Sequence, residues 1–430
     1  MTTTATTYIV PLNKVTPEFI LPPKWEKGTF FGRAMVPGVG ASVVALNSHG
    51  NLIDITPFVV ASSVLCNNPR MLEVLREARE HGENIGGIGE VLANTNRSDN
   101  QVPYFLAPID FQAAVGAGVT YINSWLERVV SAHPKLPDLR AQLIAIIGGD
   151  NLVVKPGSDT AQKVMEFLES MGIDDDYTKP AFGTHAEIFD KAMSCDAVGP
   201  GHISMRTDAP KRGAPPTAVG SESELILIVN KNAKIVGYTV GNDFSAGGFE
   251  NASHLYLPKA KHYDGSAGMS PLVRVPDESF TAENATSLNI TLFVEGRDGF
   301  VLRAARKEGQ VGLLSPGRSY STGEISRPHT ELADQALAVN RHEFGRAVYC
   351  GAGYIPTMNR EDPERPTKFN EFTHRPGDTV SIIASDWLAG CVHVVTPVTE
   401  FNNFGPNTGE VIVSLLNRPN GSRLLQQLNS

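Results

Sequence analysis

Hydrophobic residues recur along the chain with two periods, and the pattern typical of β-strands dominates both ends. In the segment ASVVALNSHGNLIDITPF (41–58), two apolar runs flank the turn-like Ser48-His49-Gly50-Asn51, which predicts a pair of strands. From about residue 223 onward, short apolar runs predict further strands: ELILIV, KIVGYTV, SLNITLFVEG, FVLRAA, RAVYCGA, TVSIIA and CVHVVTP. Because these strands do not alternate regularly with helices, we predict an α+β fold that is mainly β and mainly antiparallel, or an all-β fold.

Helical spacing is confined to a few segments. Ile122, Trp125, Leu126, Val129 and Val130 follow the i, i+3, i+4, i+7, i+8 pattern and predict an amphipathic helix. The remaining predicted helices cover 71–80, 139–147, 160–171 and 331–339. We interpret 122–200 as a helical excursion. The polar segment RSDNQVP predicts a domain boundary near residue 102, with a β-rich N-terminal domain over 1–102 and a second domain over 103–430.

Composition narrows the class of protein. The 430 residues carry a net charge of −9 with 41% hydrophobic residues, which is typical of a globular protein and argues against disorder and against a nucleic-acid partner. The four cysteines stand far apart without a CxxC pair, so we expect reduced, buried thiols. No apolar run reaches the roughly 18–20 residues that cross a bilayer, and the start lacks a signal peptide. We therefore expect a cytoplasmic protein without a membrane partner.

Several common catalytic signatures are missing. Gly116-Ala117-Gly118 continues without the third glycine of a dinucleotide fingerprint, and there is no Walker A sequence, GxSxG or HExxH. Nicotinamide-dependent chemistry, phosphate-loop chemistry and zinc hydrolysis therefore have no support in the sequence.

An acidic pair opens the most hydrophobic predicted strand. Glu222 and Glu224 precede the apolar residues 225–229, and residues two apart on a strand project to the same face. A turn around 231–233 predicts a hairpin in which the numbers of opposed residues add up to about 465, so that Glu222 faces Asp243. Three carboxylates then converge at the open end of the hairpin.

Such a cluster has two interpretations. Like charges this close raise one another's pKa unless a cation neutralises them, and oxygen ligands without Cys or His select Mg²⁺, Mn²⁺ or Ca²⁺. A solvated acidic strand end is the alternative, and the residues by themselves leave both open.

Three motifs at fixed spacings resemble the fumarylacetoacetate hydrolase superfamily: Glu222-Ser223-Glu224, GYTVGNDFS (237–245) and KHYDGS (261–266). Asp243 follows Glu224 by 19 residues and Lys261 follows Asp243 by 18, which is similar to the family's sugar-acid dehydratases. Weaker similarity extends over most of the chain, for example in LAPIDFQAAVGAGVTYINSWLERVV and STGEISRPHTELADQAL. Within the superfamily, the chain resembles the 2-keto-3-deoxy-xylonate and arabinonate dehydratase branch.

The resemblance implies a mixed β-roll catalytic domain, a smaller N-terminal β domain and a homodimer or higher homo-oligomer. It also implies one divalent cation, usually Mg²⁺, held by Glu222, Glu224 and Asp243, with Lys261 as a substrate-binding cation. The implied activity is that of a hydro-lyase. It would convert a small 2-keto-3-deoxy sugar acid into a 2,5-dioxo acid such as 2-oxoglutarate semialdehyde.

The resemblance also separates two chemistries. The superfamily's hydrolases and decarboxylases typically carry GxNYxxHxxE, whose His and Glu activate water, and here Ser124 stands in place of the histidine. A serine without a partnering base cannot replace imidazole as a general base, so hydrolysis of an acylpyruvate or decarboxylation of a β-keto acid is the alternative. Glu127 and Ser124 stay as candidate catalytic residues. A non-catalytic metal-binding or ligand-binding member is a third interpretation.

Two departures from the family pattern concern the substrate. Where the family usually has Arg after Asp243-Phe244-Ser245-Ala246, this chain has Gly247-Gly248, and Arg206 or Arg212 is a candidate substitute. The family's TGTP turn reads Cys350-Gly351-Ala352-Gly353, with Thr357 as a candidate replacement for the lost hydroxyls. We expect Tyr238 and Asp264 to be structural.

Overall fold

The computed structural model describes residues 17–95, 101–111, 113–148, 152–193, 196–205, 218–250, 252–302, 320–338, 343–353, 355, 360 and 372–397. In chain order, its strands are β1 (Phe30–Val36), β2 (Gly40–Leu46), β3 (Asn51–Asp54), β4 (Glu83–Gly87), β5 (Tyr104–Phe105), β6 (Ala113–Gly118), β7 (Glu187–Met193), β8 (Ala197–Val198), β9 (Gly201–Met205), β10 (Val219–Gly220), β11 (Ser223–Val229), β12 (Ile235–Asp243), β13 (Ser245–Ala246), β14 (Ala267–Met269), β15 (Leu272–Arg274), β16 (Asn289–Glu295), β17 (Val301–Leu302), β18 (Tyr320–Ser321), β19 (Arg346–Ala352), β20 (Thr379–Ala384) and β21 (Cys391–Pro397). Its α-helices are α1 (Pro17–Ile20), α2 (Ser62–Cys66), α3 (Met71–His81), α4 (Ile88–Asn94), α5 (Ile122–Ala132), α6 (Leu139–Ile147), α7 (Asp159–Ser170), α8 (Thr178–Phe182), α9 (Gly247–Glu250), α10 (Leu257–Lys261), α11 (Ala282–Ala285) and α12 (His329–Ala338). Short 3₁₀ turns cover Trp25–Lys27, His254–Tyr256 and Thr322–Glu324.

The larger of two main sheets carries the hairpin predicted from the sequence. Its main path through the described residues runs β4-β3-β2-β1-β15-β12-β11-β19-β6-β7. In the β11–β12 hairpin Ser223 lies opposite Asn242, so the numbers of paired residues add up to 465 as predicted. A register shift between Ile228 and Val229 lies near the turn and leaves the open end unaffected. The predicted hairpin is therefore confirmed at the end where the carboxylates lie.

Both faces of β11 are buried, which explains its unbroken apolar run. Leu225, Leu227 and Val229 pack toward the second sheet, which runs β17-β16-β20-β21-β9. Ile226 and Ile228 point the other way, into a core shared with β1, β2 and α3. Alternate residues of one strand thus join two separate cores, which fixes the register of the hairpin because a slip of one residue would exchange the two faces.

Of the helical excursion predicted over 122–200, the structure has helices α5 to α8 only as far as Phe182, whereas β7 and β8 lie in its last part. The four helices pack around a core of their own. Trp125, Leu126 and Val129 of α5 pack with residues of α6, α7 and α8. Trp125 donates a hydrogen bond from Nε1 to the hydroxyl of Thr178 at 3.2 Å and packs edge-on against Phe182. The helices predicted at 71–80, 122–130, 139–147, 160–171 and 331–339 are confirmed to within about two residues at each end.

Strands from the predicted N-terminal domain pair directly with later strands. Phe30 lies opposite Arg274 in the β1–β15 pairing, so β1 to β4 continue the large sheet. The boundary near residue 102 stays a prediction. Cys66, Cys350 and Cys391 are free and buried, as expected, and Cys195 lies outside the described residues. Within the described ranges, no helix has the length and apolar character to cross a membrane.

Candidate metal centre

Three carboxylates converge where the β11–β12 hairpin opens. Glu222 precedes β11, Glu224 is its second residue and Asp243 ends β12, and the backbone N–H of Asp243 donates to the carbonyl of Glu222 at 2.8 Å. One carboxylate oxygen from each of the three lies within 4.8 Å of the others, which is close enough for all three to ligate a single cation. The predicted convergence of these carboxylates is confirmed.

Burial sets the electrostatics of the cluster. Desolvation raises the pKa of Glu222 to about 7, although Lys261 opposes the shift. Burial together with the nearby Asp243 and Glu222 raises the pKa of Glu224 well above its ordinary value, and its Oε2 accepts a hydrogen bond from the N–H of Gly351 at 2.7 Å. Asp243 differs, since burial works against ionisation but Lys191 and Lys261 hold its pKa below the ordinary value. In this arrangement Asp243 is the carboxylate most firmly ionised.

Two buried lysines face the cluster. The ammonium of Lys261 lies 2.7 Å from Glu222 and 3.3 Å from Asp243. The ammonium of Lys191, on β7, lies 2.7 Å from the other oxygen of Asp243 and donates to the carbonyls of Phe244 and Lys261 at 3.1 and 2.8 Å. Lys191 is fully buried. Each oxygen of Asp243 therefore has a cation beside it.

The cluster fits a hard divalent cation. Both oxygens of Asp243 are buried beside ammonium groups, 2.7 Å from Lys191 and 3.3 Å from Lys261, which hold this carboxylate in its ionised form. The donor set consists of carboxylate oxygens alone, which suits Mg²⁺, Mn²⁺ or Ca²⁺. The three clustered carboxylates carry more negative charge than the two lysines offset, and a cation held by Glu222, Glu224 and Asp243 would neutralise the remainder.

The carboxylates open into a pocket covered by the helical excursion. Ser124 and Arg128, one turn apart on α5, line it together with Tyr177, which precedes α8. The guanidinium of Arg128 lies 4.7 Å above the Tyr177 ring and 3.9 Å from Glu250. Lys261 completes this side, with its ammonium 3.6 Å from Glu250.

Strand β7 contributes a carboxylate that the sequence did not reveal. Glu187, Phe189 and Lys191 occupy every second position of β7 and therefore share one face of the strand. Glu187 and Phe189 line the pocket, and Lys191 contacts Asp243. β7 pairs with β6 so that Phe189 lies opposite Gly116 and Glu187 opposite Gly118. A Cβ at either glycine would overlap the facing side chain. Gly116 and Gly118, which do not belong to a dinucleotide-binding motif, thus leave space for the side chains of Phe189 and Glu187.

Two curated proteins that are similar to this chain are both named as dehydratases. No family model matches the chain. It is 36% identical over 187 residues to the 2-dehydro-3-deoxy-D-arabinonate dehydratase of Saccharolobus solfataricus, covering 43% of this chain and 54% of the relative. It is 37% identical over 117 residues to a probable 2-keto-3-deoxyxylonate dehydratase of Haloferax volcanii, covering 27% of this chain and 36% of the relative. The chain thus matches about half or less of the length of these curated relatives.

Solved structures decide the fold. A 2-keto-3-deoxyarabinonate dehydratase superposes with a TM-score of 0.55 at 21% identity, covering 86% of this chain and 99% of the other. A second structure of such an enzyme, complexed with magnesium and 2,5-dioxopentanoate, gives a TM-score of 0.54 at 20% identity, with the same coverage. The chain has the fumarylacetoacetate hydrolase fold. The resemblance inferred from the sequence and the predicted mainly β, α+β fold class are confirmed.

Within this fold, the two acid/base candidates from the motif are placed differently. Ser124 lines the pocket, whereas Glu127 lies outside the lining residues and pairs with Arg140 of α6 at 2.6 Å. The structure therefore brings Ser124 and Lys261 to the carboxylates and leaves Glu127 on the outer side of α5. A catalytic role for any of these residues stays a prediction.

The departures from the family pattern are partly visible. Gly247-Gly248 begin α9, which carries Glu250 to the pocket edge, and the Cys350-Gly351 turn supplies a backbone N–H where hydroxyls were lost. Arg206, Arg212 and Thr357 lie outside the described residues. Tyr238 is buried edge-on against Phe280, and Asp264 is exposed, both away from the lining residues of the pocket.

Gly351 is expected to be intolerant of a side chain. Its φ is +88°, and a Cβ would overlap the hydroxyl of Thr120 and approach the carbonyl of Ala117. Left-handed backbone costs a residue with a Cβ about 1–2 kcal/mol, so Gly351→Ala should lower the free energy of unfolding by at least that amount. Chemical denaturation measures the loss.

Gly38→Ala is the matched control for that measurement. Gly38 has a φ of +73° with open space around it, so its variant carries only the backbone penalty. Equal losses in the two variants would contradict the expected overlap at Gly351.

Proposed function

We propose that this protein is a divalent-cation-dependent dehydratase of a 2-keto-3-deoxy sugar acid, such as 2-keto-3-deoxy-D-xylonate or arabinonate. The product is a 2,5-dioxo acid. The observation that carries the proposal is the triad of buried carboxylates that opens into the same pocket as Lys261 and Glu187. The names of the curated relatives and the magnesium and 2,5-dioxopentanoate of one structural neighbour support the choice of reaction and of Mg²⁺.

The charges around the pocket support a divalent cation. Five carboxylates, Glu187, Glu222, Glu224, Asp243 and Glu250, line the described part of the pocket. They face three cationic side chains, Arg128, Lys191 and Lys261. Two negative charges are left when all are ionised, and one divalent ion balances them. When bound by Glu222, Glu224 and Asp243, such an ion supplies Lewis-acid polarisation of an α-oxo acid.

The pocket side chains supply binding and proton transfer. An ammonium has three protons to donate, so Lys261 can keep its contact with Glu222 and exchange its longest contact, 3.6 Å to Glu250, for the substrate's C1 carboxylate. Dehydration removes a proton from C3 and the hydroxyl from C4, after which tautomerisation places the second oxo group at C5. We assign to Glu187 the transfer of the C3 proton to the departing C4 hydroxyl, because its carboxylate lines the pocket. Arg128 and Tyr177, in contact at 4.7 Å, line the side of the pocket that the helical excursion forms.

The composition of the pocket favours dehydration over hydrolysis. None of the described residues that line it is a histidine, and Ser124 stands where the hydrolases carry one. Activation of water at neutral pH needs a general base, and the described lining residues include no imidazole that could act as one. An acylpyruvate hydrolase or a β-keto-acid decarboxylase is therefore the second candidate. We further propose a cytoplasmic homodimer or higher homo-oligomer, which size-exclusion chromatography with light scattering would test.

The decisive assay offers magnesium-loaded protein a panel of 2-keto-3-deoxy pentonates and hexonates. We expect formation of a 2,5-dioxo acid, detected as a hydrazone by mass spectrometry, and loss of that product after EDTA treatment, with recovery on adding Mg²⁺. Release of pyruvate, acetate or CO₂ from the corresponding diketo or β-keto acids would favour the second candidate. Tight binding of 2-keto acids without turnover of any substrate would favour the non-catalytic interpretation.

A further inference from the structure

We propose that a buried hydrogen-bond relay, Asn242–Ser221–His374–Asp378, positions Glu222 for cation binding. This inference rests on the proposed function, because it concerns the geometry of the same cation site. It assigns a positioning role to residues that do not line the pocket, two of which lie in the segment that leads into β20 of the second sheet.

The relay begins between the two segments that bear the metal ligands. Asn242, next to Asp243 on β12, accepts a hydrogen bond from the backbone N–H of Glu222 at 3.1 Å. Its amide nitrogen lies 3.1 Å from the hydroxyl oxygen of Ser221. One side chain thus fastens the segment 221–222 to the strand that carries Asp243.

His374 continues the relay toward the second sheet. Its Nε2 lies 2.7 Å from the hydroxyl oxygen of Ser221, and its Nδ1 lies 3.3 Å from a carboxylate oxygen of Asp378. Asp378 immediately precedes β20 and is held by Arg360 through two hydrogen bonds of 2.6 and 3.0 Å. The imidazole packs between Phe244 and Phe372, with ring centroids 5.3 and 4.9 Å away. The ring therefore has a hydrogen-bond partner at each nitrogen and two aromatic neighbours.

The donors along the relay run in one direction. An amide nitrogen can only donate, so the Ser221 oxygen accepts from Asn242. Asp378 is a carboxylate and accepts from Nδ1–H, which leaves Nε2 of a neutral His374 as the acceptor for the Ser221 O–H. Burial, which lowers the pKa of His374, agrees with the neutral ring. Each contact of the relay then joins one donor to one acceptor, and reversing the amide of Asn242 would place two donors face to face at the N–H of Glu222.

Burial makes these contacts costly to lose. Asn242, Ser221 and His374 are each 0% exposed, so no water replaces a missing partner without rearrangement. The backbone follows the same path, because the N–H of His374 donates to the carbonyl of Val219 at 3.0 Å. Residues 219–221 are thus anchored to the segment that leads into β20, just before the chain reaches Glu222.

The test measures the affinity of the purified full chain for Mn²⁺ alone, by electron paramagnetic resonance, together with thermal stability. Loss of outer partners of metal ligands typically weakens affinity 10–100-fold, and we expect Ser221→Ala to raise the Mn²⁺ Kd about tenfold. Thr396→Val is the matched control, since the hydroxyl of Thr396 contacts another buried imidazole, that of His202, at 2.6 Å, on strands of the second sheet away from the pocket. We expect Thr396→Val to leave the Kd within about twofold of the unmodified protein while it lowers the melting temperature.

Two further variants divide the relay. In His374→Gln, the side-chain amide takes the position of Nε2 and can still accept a hydrogen bond from Ser221. In His374→Asn, the amide takes the position of Nδ1 and reaches only Asp378. We expect His374→Gln to bind Mn²⁺ more tightly than His374→Asn. If Ser221→Ala lowers stability but binds Mn²⁺ as tightly as the unmodified protein, the relay is merely structural and the inference is wrong. If the unmodified protein itself binds no Mn²⁺, it is the proposed function that fails.

Discussion

Replacing Asp243 with asparagine is expected to cost the protein both its cation affinity and several kcal/mol of stability. Asp243 supplies one of the three ligand carboxylates, and its two oxygens lie beside the ammonium groups of Lys191 and Lys261. Removing one partner of a buried ion pair costs about 3–5 kcal/mol, because the other charge is left buried without compensation. We expect a fall of that size in the free energy of unfolding, measured by chemical denaturation without metal.

The two effects of this substitution can be separated. Lys191 is fully buried, and among the described residues its ammonium has no other carboxylate as near as that of Asp243. The double variant Asp243→Asn, Lys191→Met removes the uncompensated lysine, so it should recover much of the lost stability. It should not recover Mn²⁺ binding, which we expect to be at least about 100-fold weaker than in the unmodified protein. Loss of a residue that only supports a metal ligand weakens affinity about 10–100-fold, and Asp243 is itself a proposed ligand. Equal stability of the single and double variants would show that the Lys191–Asp243 contact carries little free energy.

The hairpin could be predicted because its information is local. The apolar run of β11, the turn and the two-residue period of strands together determine that Glu222, Glu224 and Asp243 meet. β7 lacked such a signal. Its sequence, EIFDKAM, does not alternate polar and apolar residues, and its partner β6 lies some 70 residues earlier in the chain. Pairing between distant strands is not encoded in the period of either one, so the sequence did not reveal two of the charged groups at the site.

Helix phase explains why Glu127 and the pocket are separated. The apolar face of α5 packs into the helical core, which fixes the rotation of the helix about its axis. At about 100° per residue, Arg128 lies roughly 40° from Ser124, whereas Glu127 lies roughly 60° away on the other side. Ser124 and Arg128 therefore line the pocket while Glu127 contacts Arg140 on α6. The motif predicted the correct helix, and packing of the excursion decided which residues reach the substrate.

Replacing Glu187 with glutamine is expected to lower kcat by about 10²–10⁴, the range that a positioned acid/base group contributes. Glutamine keeps the size of the side chain, so it should still fit against Gly118 and leave the fold and the Mn²⁺ affinity close to those of the unmodified protein. The measurement is kcat and KM with the best 2-keto-3-deoxy acid, with Mn²⁺ binding as the check on the site. KM should change little, because the proposed role is proton transfer and not substrate binding.

The same measurement on Glu127→Gln discriminates between the two carboxylates. The motif predicts that Glu127 is the acid or base, and the structure places it against Arg140 at 2.6 Å, outside the pocket lining. If proton transfer depends on Glu187, Glu127→Gln loses only a partly exposed ion pair, which is worth about 1 kcal/mol or less of stability, and its kcat stays within a few-fold. A large loss of kcat in Glu127→Gln with little loss in Glu187→Gln would instead mean that α5 rotates or shifts when substrate binds. Both substitutions are Glu→Gln on elements that border one pocket. A difference in kcat between the two variants therefore reports the position of each carboxylate and not its chemical type.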